Sequence, residues 1–334
     1  MASVAPTISV IIPAFNAAAA IVRCLAALSE QTVEPARFEV IVVDDGSSDE
    51  TAEEAARYGA RVIKRSHSGR ASARNAGVAV ARGDILLFTD ADCEPVPEWI
   101  AEMTAPFDVP EIDGVRGAYR TRQRSWTARF VQLEYRDRYD HAARSPYIDF
   151  VETYSAAYRR EVLLSSGGFD PDLPFDEDQE LSFRLAEAGH RMVFNPRAVV
   201  YHRHPERWRG YAVRKCHIGY WKTHVLRVHP AKAWRDTHTP WNVRLQVALA
   251  ALTVPLVLLS PRDRLLVMLL GLVLAAFTAS ALPFLLKAWR RDRLIAFVSL
   301  PMLWLRALAL GMGFAVGSAG RLAASGCAAE KGLE

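Results

Sequence analysis

The sequence predicts an α/β domain built on a mainly parallel sheet, followed by a basic segment and an α-helical membrane domain. Three observations carry that expectation. Short apolar runs alternate with helix-patterned stretches from Ile8 to Phe88. The loops after those runs carry acids and turn formers instead of a glycine-rich phosphate motif. Apolar stretches without charge gather after residue 244. With 334 residues and a hydrophobic fraction of 51%, the chain can bury a sizeable core.

In order along the chain, Ile8–Ile12 reads as a buried strand stopped by Pro13, and Ala17–Gln31 as a helix with Ile21, Leu25 and Leu28 on one face. Phe38–Val43 is the second strand. It runs into Asp44-Asp45-Gly46-Ser47-Ser48-Asp49, where Gly46 permits a tight turn and Ser48 or Asp49 can cap the next helix. Arg61–Lys64 is a third strand. Gly69–Ala81 is a helix bearing Arg70, Arg74 and Asn75 early and stopped by Gly83. Ile85–Phe88 is a fourth strand, apolar throughout, that delivers Asp90 and Asp92 to the loop beyond it. Further on come a helix Pro97–Phe107, a strand Val115–Tyr119 and a helix Trp126–His141. A helix opened by Glu177 and Asp178 follows, with Leu181, Leu185 and Ala188 inward, and then strand pieces Met192–Asn195 and Ala198–Tyr201.

Ligands of parallel sheets bind beyond the carboxyl ends of strands, where Pro13–Asn16, Asp44–Ser47 and Asp90–Asp92 fall. Two carboxylates spaced Asp-x-Asp can hold a hard divalent cation shared with substrate phosphates. The same spacing also occurs in solvated turns. Glu177 and Asp178 in a first helical turn fit dipole compensation as well as acid–base chemistry. The absence of Gly-x-Gly-x-x-Gly and of Gly-x-x-x-x-Gly-Lys-Ser/Thr disfavours dinucleotide dehydrogenases and P-loop ATPases. An acidic crevice repels bare phosphate, so a phosphorylated ligand should arrive with its metal.

After residue 244, Leu245–Ser260, Leu265–Leu286 and Ala307–Gly320 carry no charged side chain. At about 1.5 Å per residue, Leu265–Leu286 covers roughly the hydrocarbon thickness. The first stretch, which contains Pro255, either crosses with Arg244 snorkelling or is re-entrant. The third lengthens if Leu294–Leu305 joins it, which places Arg306 inside, facing other helices, water or a lipid headgroup. The net charge of +4 is concentrated ahead of these stretches, in Arg207, Arg209, Arg214, Lys215, Lys222, Arg227, Lys232, Arg235 and Arg244, interleaved with Trp208, Trp221, Trp234 and Trp241. That pattern reads as an interfacial segment under an anionic leaflet in preference to a nucleic-acid patch. Cys24, Cys93, Cys216 and Cys327 form no Cys-x-x-Cys pair, which suits a reducing compartment. No cleavable signal is expected from Ile8–Ile12. The second inter-span loop, with Lys287, Arg290, Arg291 and Arg293, outweighs the first, Pro261–Arg264, with Arg262 and Arg264, so the catalytic domain should be cytoplasmic and the C-terminus outside.

The ordered set ISVIIPAFN, VVDDGSSDET, GRASARNAG, DILLFTDADCEP, GGFD and DEDQELSFRLAEAG, over residues 7–202, resembles the inverting family 2 glycosyltransferases of GT-A fold. The resemblance implies a Rossmann-like GT-A domain over residues 1–204. An interfacial segment 205–244, spans near 245–260, 265–286 and 294–320, and a tail 321–334 would follow. It implies that Asp45 accepts hydrogen bonds from a nucleotide base, with Pro13 shaping the loop beneath. Arg74, with Arg70 as a second candidate, would contact the nucleotide or organise the Asp-x-Asp loop. Asp90 would sit near the ribose, and Asp92 would bind the Mn²⁺ or Mg²⁺ that bridges the donor diphosphate. Asp178 would be the base that inversion requires, and Glu177 would orient the acceptor or the helix terminus. His202 resembles a histidine that completes the metal sphere in some relatives; His204 is an alternative, and an interfacial histidine is the other reading.

His204-Pro205-Glu206-Arg207-Trp208 keeps the Arg-Trp but not the Gln of the Gln-x-x-Arg-Trp carried by processive synthases. The expectation is therefore transfer of one sugar from a nucleotide-diphospho-sugar to a hydroxyl acceptor, a lipid-linked saccharide or cell-envelope glycan precursor. A polyprenyl-phosphate sugar transferase is the nearest alternative. A nucleotidyltransferase and a catalytically silent nucleotide-binding membrane protein are alternatives of other classes. Membrane lipids are expected partners and nucleic acid is not.

Overall fold

The computed structural model describes residues 7–234, 236–259 and 263–320. Arg235, Pro261, Arg262, Cys327 and the 321–334 tail lie outside the described residues. Contacts divide the chain into two units, Met1–Arg122 with Tyr139–Arg203, and Gln123–Arg138 with His204–Glu334. The second unit takes in Gln123–Arg138 as well as the C-terminal part of the chain.

The elements of the first part of the chain are β1 (Ile8–Ala14), α1 (Ala18–Ser29), β2 (Phe38–Asp44), α2 (Thr51–Arg57), β3 (Arg61–Lys64), α3 (Arg70–Val80), β4 (Ile85–Phe88), β5 (Glu94–Pro95), α4 (Trp99–Thr104), β6 (Ile112–Arg120), α5 (Trp126–Ala142), β7 (Ala156–Arg159), α6 (Arg160–Ser165), α7 (Glu177–Glu187) and β8 (Arg191–Tyr201). The strands form one sheet in the order β3-β2-β1-β4-β7-β6-β8-β5. β3, β2, β1 and β4 are parallel neighbours, as the alternating pattern predicts. Beyond β4 the sheet is mixed, because β7 pairs antiparallel with both β4 and β6.

The inner face of this sheet is filled by Ile11, Ile41, Val43, Leu86, Phe88 and Tyr158, packed against Ala73 and Val78 of α3 and Leu181 and Leu185 of α7. Ala188, expected inward, is exposed, and Phe183 is buried in its helix instead. The 192–201 region is a single strand, not two pieces. Its register against β6 shifts between Arg116 and Ala118, opposite the stretch around Pro196, which offers no N–H to a ladder. Gly83 lies beyond the end of α3 rather than capping it. A Cβ there would meet the Ile8 carbonyl carbon at 2.6 Å, so the glycine is needed for close approach to β1.

The second unit holds α8 (Trp208–Val228), α9 (Trp241–Leu259), α10 (Arg264–Arg291) and α11 (Arg293–Ser318). The last three are long and apolar enough to span a membrane, with mean hydropathies of 1.7, 2.5 and 1.9. They exceed the uncharged stretches because their ends recruit polar residues. Asp263 and Asp292 cap α10 and α11, accepting from the Leu265 and Ile295 amides at 2.7 and 3.2 Å. Pro255 does not interrupt α9, whose 19 residues form one helix. The segment expected to be interfacial contains the helix α8, which does not stand alone. It lies along α11 with the backbones in contact, since a Cβ on Gly313 or Gly317 would strike the Cys216 or Tyr220 carbonyl oxygen.

Arg306 faces other helices. It is buried, donates to Glu134 Oε1 at 2.9 Å and to Gln246 Oε1, while Lys215 Nζ and Tyr211 Oη reach Glu134 at 3.3 and 3.0 Å. Burial works against ionisation of Glu134, but Lys215 and Arg306 outweigh it and bring its pKa down to about 2.

Candidate active site

The loops after β1, β2 and β4 lie at the carboxyl ends of neighbouring parallel strands. Pro13 sits within β1 opposite Val43 of β2. Beyond it the two loops are stitched together: the Asn16 amide donates to Ser47 Oγ, and Asn16 Oδ1 accepts from the Ser48 amide, each at 2.9 Å. Asp45 is buried, and its Oδ2 accepts from the Gly69 and Ser68 amides at 2.8 and 3.1 Å. The second-strand acid therefore fastens the start of α3. His67 Nδ1 approaches the same carboxylate at 3.0 Å, and its ring leans against Phe15, centroids 4.3 Å apart. Gly46, at φ 87°, has no room for a side chain beside the His67 amide.

Beyond β4, the Asp92 carboxylate meets His202 at the end of β8, Oδ2 to Nδ1 3.1 Å. Asp92, Cys93 and His202 are the described residues whose donor atoms cluster at metal-binding spacing, within 4.8 Å of one another. Burial pushes the Asp92 carboxyl up, but the His202 hydrogen bond and charge, with the more distant Arg70, hold it below the usual carboxylate range. Burial and the Asp92 and Asp90 charges push the Cys93 thiol well up, so it stays protonated. The usable donors are one carboxylate and one imidazole, a set that fits Mn²⁺ or Mg²⁺ with phosphate oxygens completing the sphere. The His202 ring is stacked on Tyr119, centroids 4.8 Å apart, and Tyr119 is stacked in turn on Tyr154. His204 is buried against Tyr135, with Nε2 3.3 Å from Gln132 Oε1, and does not belong to the cluster.

Arg74 is buried and pairs with two acids: Nη2 with Asp90 Oδ1 at 3.0 Å and Nη1 with Glu177 Oε1. Of the two early arginines in α3, Arg74 is the one paired with the Asp-x-Asp loop, through Asp90. Arg70 is exposed and lies over the Phe175 ring. Asn75 brackets Phe169 of the Gly-Gly-Phe-Asp turn, donating to its carbonyl at 2.7 Å and accepting from its amide at 2.9 Å. Asp178 opens α7 beside Glu177, and its Oδ2 lies 3.4 Å from the Thr153 amide. Burial, then the Glu177 and Asp176 charges, raise its pKa well above the carboxylate range, against the opposing pull of Arg74. Sequence reasoning missed Tyr119, Tyr154 and Thr153, since no acid or glycine spacing marks them.

An α/β sheet with acids on the loops after β2 and β4 and a carboxylate pair opening a later helix is the arrangement of a GT-A glycosyltransferase fold. Residues 9–165 match Glycosyl transferase family 2. The chain is 30% identical over 207 residues to the glycosyltransferase AglE of Haloferax volcanii, covering 58% of this chain and 66% of that protein. An uncharacterized glycosyltransferase of Mycobacterium tuberculosis is 33% identical over 192 residues, 56% of this chain and 82% of its own. Among solved structures, the mannosyltransferase PcManGT from Pyrobaculum calidifontis, in complex with GDP-Man and Mn²⁺, superposes with a TM-score of 0.61 at 20% identity, over 96% of this chain and 89% of that one. This chain belongs to glycosyl transferase family 2.

Proposed function

We propose that this chain is a membrane-anchored, metal-dependent, inverting glycosyltransferase that moves one sugar from a nucleotide-diphospho-sugar to a hydroxyl of a lipid-linked saccharide or envelope glycan precursor. The observation that carries the reading is the pair of chemistries brought to one unit: Asp92 with His202 on one side, and the half-buried Asp178, 3.4 Å from the Thr153 amide, on the other. The Pyrobaculum mannosyltransferase, solved with GDP-Man and Mn²⁺, supports a nucleoside-diphosphate donor and Mn²⁺ as the ion.

In this reading Asp92 and His202 hold the ion, which when bound neutralises charge on the departing diphosphate. Asp45 and the loop 67–69 that it fastens form the base end of the donor site, over the strand shaped by Pro13. Asp90, held by Arg74, faces the ribose. Arg70 adds positive charge at the rim. Asp178 accepts the proton of the attacking hydroxyl as the new C–O bond forms and the nucleoside diphosphate leaves, and Glu177 fixes the helix turn that carries it. One base and a direct displacement give inversion.

Three helices that could span a membrane support anchorage, and Lys287, Arg290, Arg291 and Arg293 between the last two support a cytoplasmic catalytic unit. The missing Gln before Arg207-Trp208 favours single transfer over polymerisation.

The test is release of nucleoside diphosphate by the full-length protein in detergent, with Mn²⁺ or Mg²⁺, a panel of nucleotide sugars and a membrane-lipid extract. Asp178→Asn should reduce turnover by about 10²- to 10⁴-fold with donor binding retained. Undiminished turnover in that variant removes Asp178 as the base, and release of pyrophosphate instead indicates nucleotidyl transfer.

A further inference from the structure

Four motifs spread along the sequence are in physical contact through two adjacent residues of α3. Arg74 bridges Asp90 and Glu177, its guanidinium 5.6 Å from the Phe169 ring centroid. Asn75 holds both backbone groups of Phe169, and a Cβ on Gly168, at φ 75°, would meet Asn75 Oδ1 at 2.6 Å. The first turn of α7 needs such support. Its preceding residue, Asp176, sits in the left-handed region at φ 61°. A buried arginine shared by two carboxylates is satisfied only while both stay in place, because withdrawing either leaves charge uncompensated in low dielectric.

We infer that Arg74 is a positioning residue that couples donor seating at the Asp90–Asp92 loop to the placement of the Glu177–Asp178 turn. The inference rests on the transferase reading for what sits at each end, but the linkage itself belongs to α3. When the Asp90 loop takes its place around a nucleotide and metal, Arg74 draws Glu177 with it, and the adjacent Asp178 is held where the acceptor hydroxyl must arrive. Lysine in place of Arg74 cannot reach both acids, since one ammonium lacks the fork that spans them.

The experiment is hydrogen–deuterium exchange on the full-length protein with GDP or UDP, each with Mn²⁺, together with turnover. In the wild type, saturating nucleotide should slow exchange of the 176–182 amides by about fivefold or more. In Arg74→Lys the same protection should fall below about twofold while nucleotide affinity stays within about threefold, and turnover should drop by more than about 30-fold. Glu177→Gln, which keeps the Arg74–Asp90 contact, is the second variant and should lose the protection likewise. Full protection in both variants overturns the coupling and leaves the transferase reading intact. Protection that depends on Arg74 in a wild type without sugar-transfer activity overturns that reading and leaves the coupling. Loss of nucleotide affinity equal to the loss of turnover overturns the coupling by making Arg74 a donor contact only.

Discussion

The Asp92 carboxylate and the His202 imidazole stand 3.1 Å apart, one from the loop after β4 and the other from the end of β8. Two donors from such distant parts of the chain are held by the sheet and not by local turn geometry. Tyr119, flat against the His202 ring, fixes its plane.

His202→Ala should therefore weaken Mn²⁺ binding in the presence of nucleoside diphosphate by about 10- to 100-fold. His204→Ala should change it by less than about twofold, because His204 lies against Tyr135 and Gln132. Titration calorimetry of the full-length protein decides between them, and equal losses would remove His202 from the metal sphere.

The raised pKa of Asp178 sets the direction of the pH profile. A base must be ionised, so turnover should fall as pH drops through a value well above that of an ordinary aspartate. Glu177→Gln removes the nearest negative charge, lowers the Asp178 pKa and should move the acid limb to lower pH, whatever it does to the maximal rate. A limb that moves up, or one already at the ordinary carboxylate range in the wild type, contradicts Asp178 as the titrating base.

The second unit offers a stability prediction. Arg306→Met removes one cation from the buried Glu134 carboxylate, which keeps Lys215 and Tyr211, and should cost about 3 kcal/mol in denaturant or thermal unfolding in detergent. Adding Glu134→Gln to that variant should recover part of the loss, because the pair is removed together. A double variant as unstable as the sum of its parts would show that the two residues act separately.

Much of this was legible in sequence where a local signal exists. The parallel half of the sheet follows from the apolar runs at Ile8, Phe38 and Ile85, and the Asp-x-Asp loop from its place after one of them. β7 was not legible: Ala-Ala-Tyr-Arg is neither an apolar run nor an alternating one, and only its neighbours β4 and β6 make it a strand. The partners of the acids were legible only in part. The resemblance put His202 beside Asp92 as a second metal donor, with His204 as the alternative, but nothing near Arg74 names Glu177, since that contact is made by the fold and not by spacing. The GRASARNAG, GGFD and DEDQE motifs nonetheless pointed to them indirectly, as segments that α3 turns out to hold together.

The buried Cys93 thiol beside Asp92 and His202 has a consequence for toxic metals. In the proposed reading its proton keeps sulfur out of the hard-ion site, whereas a thiophilic ion such as Cd²⁺ would displace that proton and gain a third protein ligand within reach of the other two. Such an ion should dissociate too slowly to leave with product, so trace Cd²⁺ is expected to poison the enzyme even with Mn²⁺ in excess. Cys93→Ser should relieve the poisoning in a turnover assay; equal sensitivity of the two proteins would place the damage elsewhere. On that reading, a single buried sulfur would set how clean of soft metals the surroundings of the site must be kept.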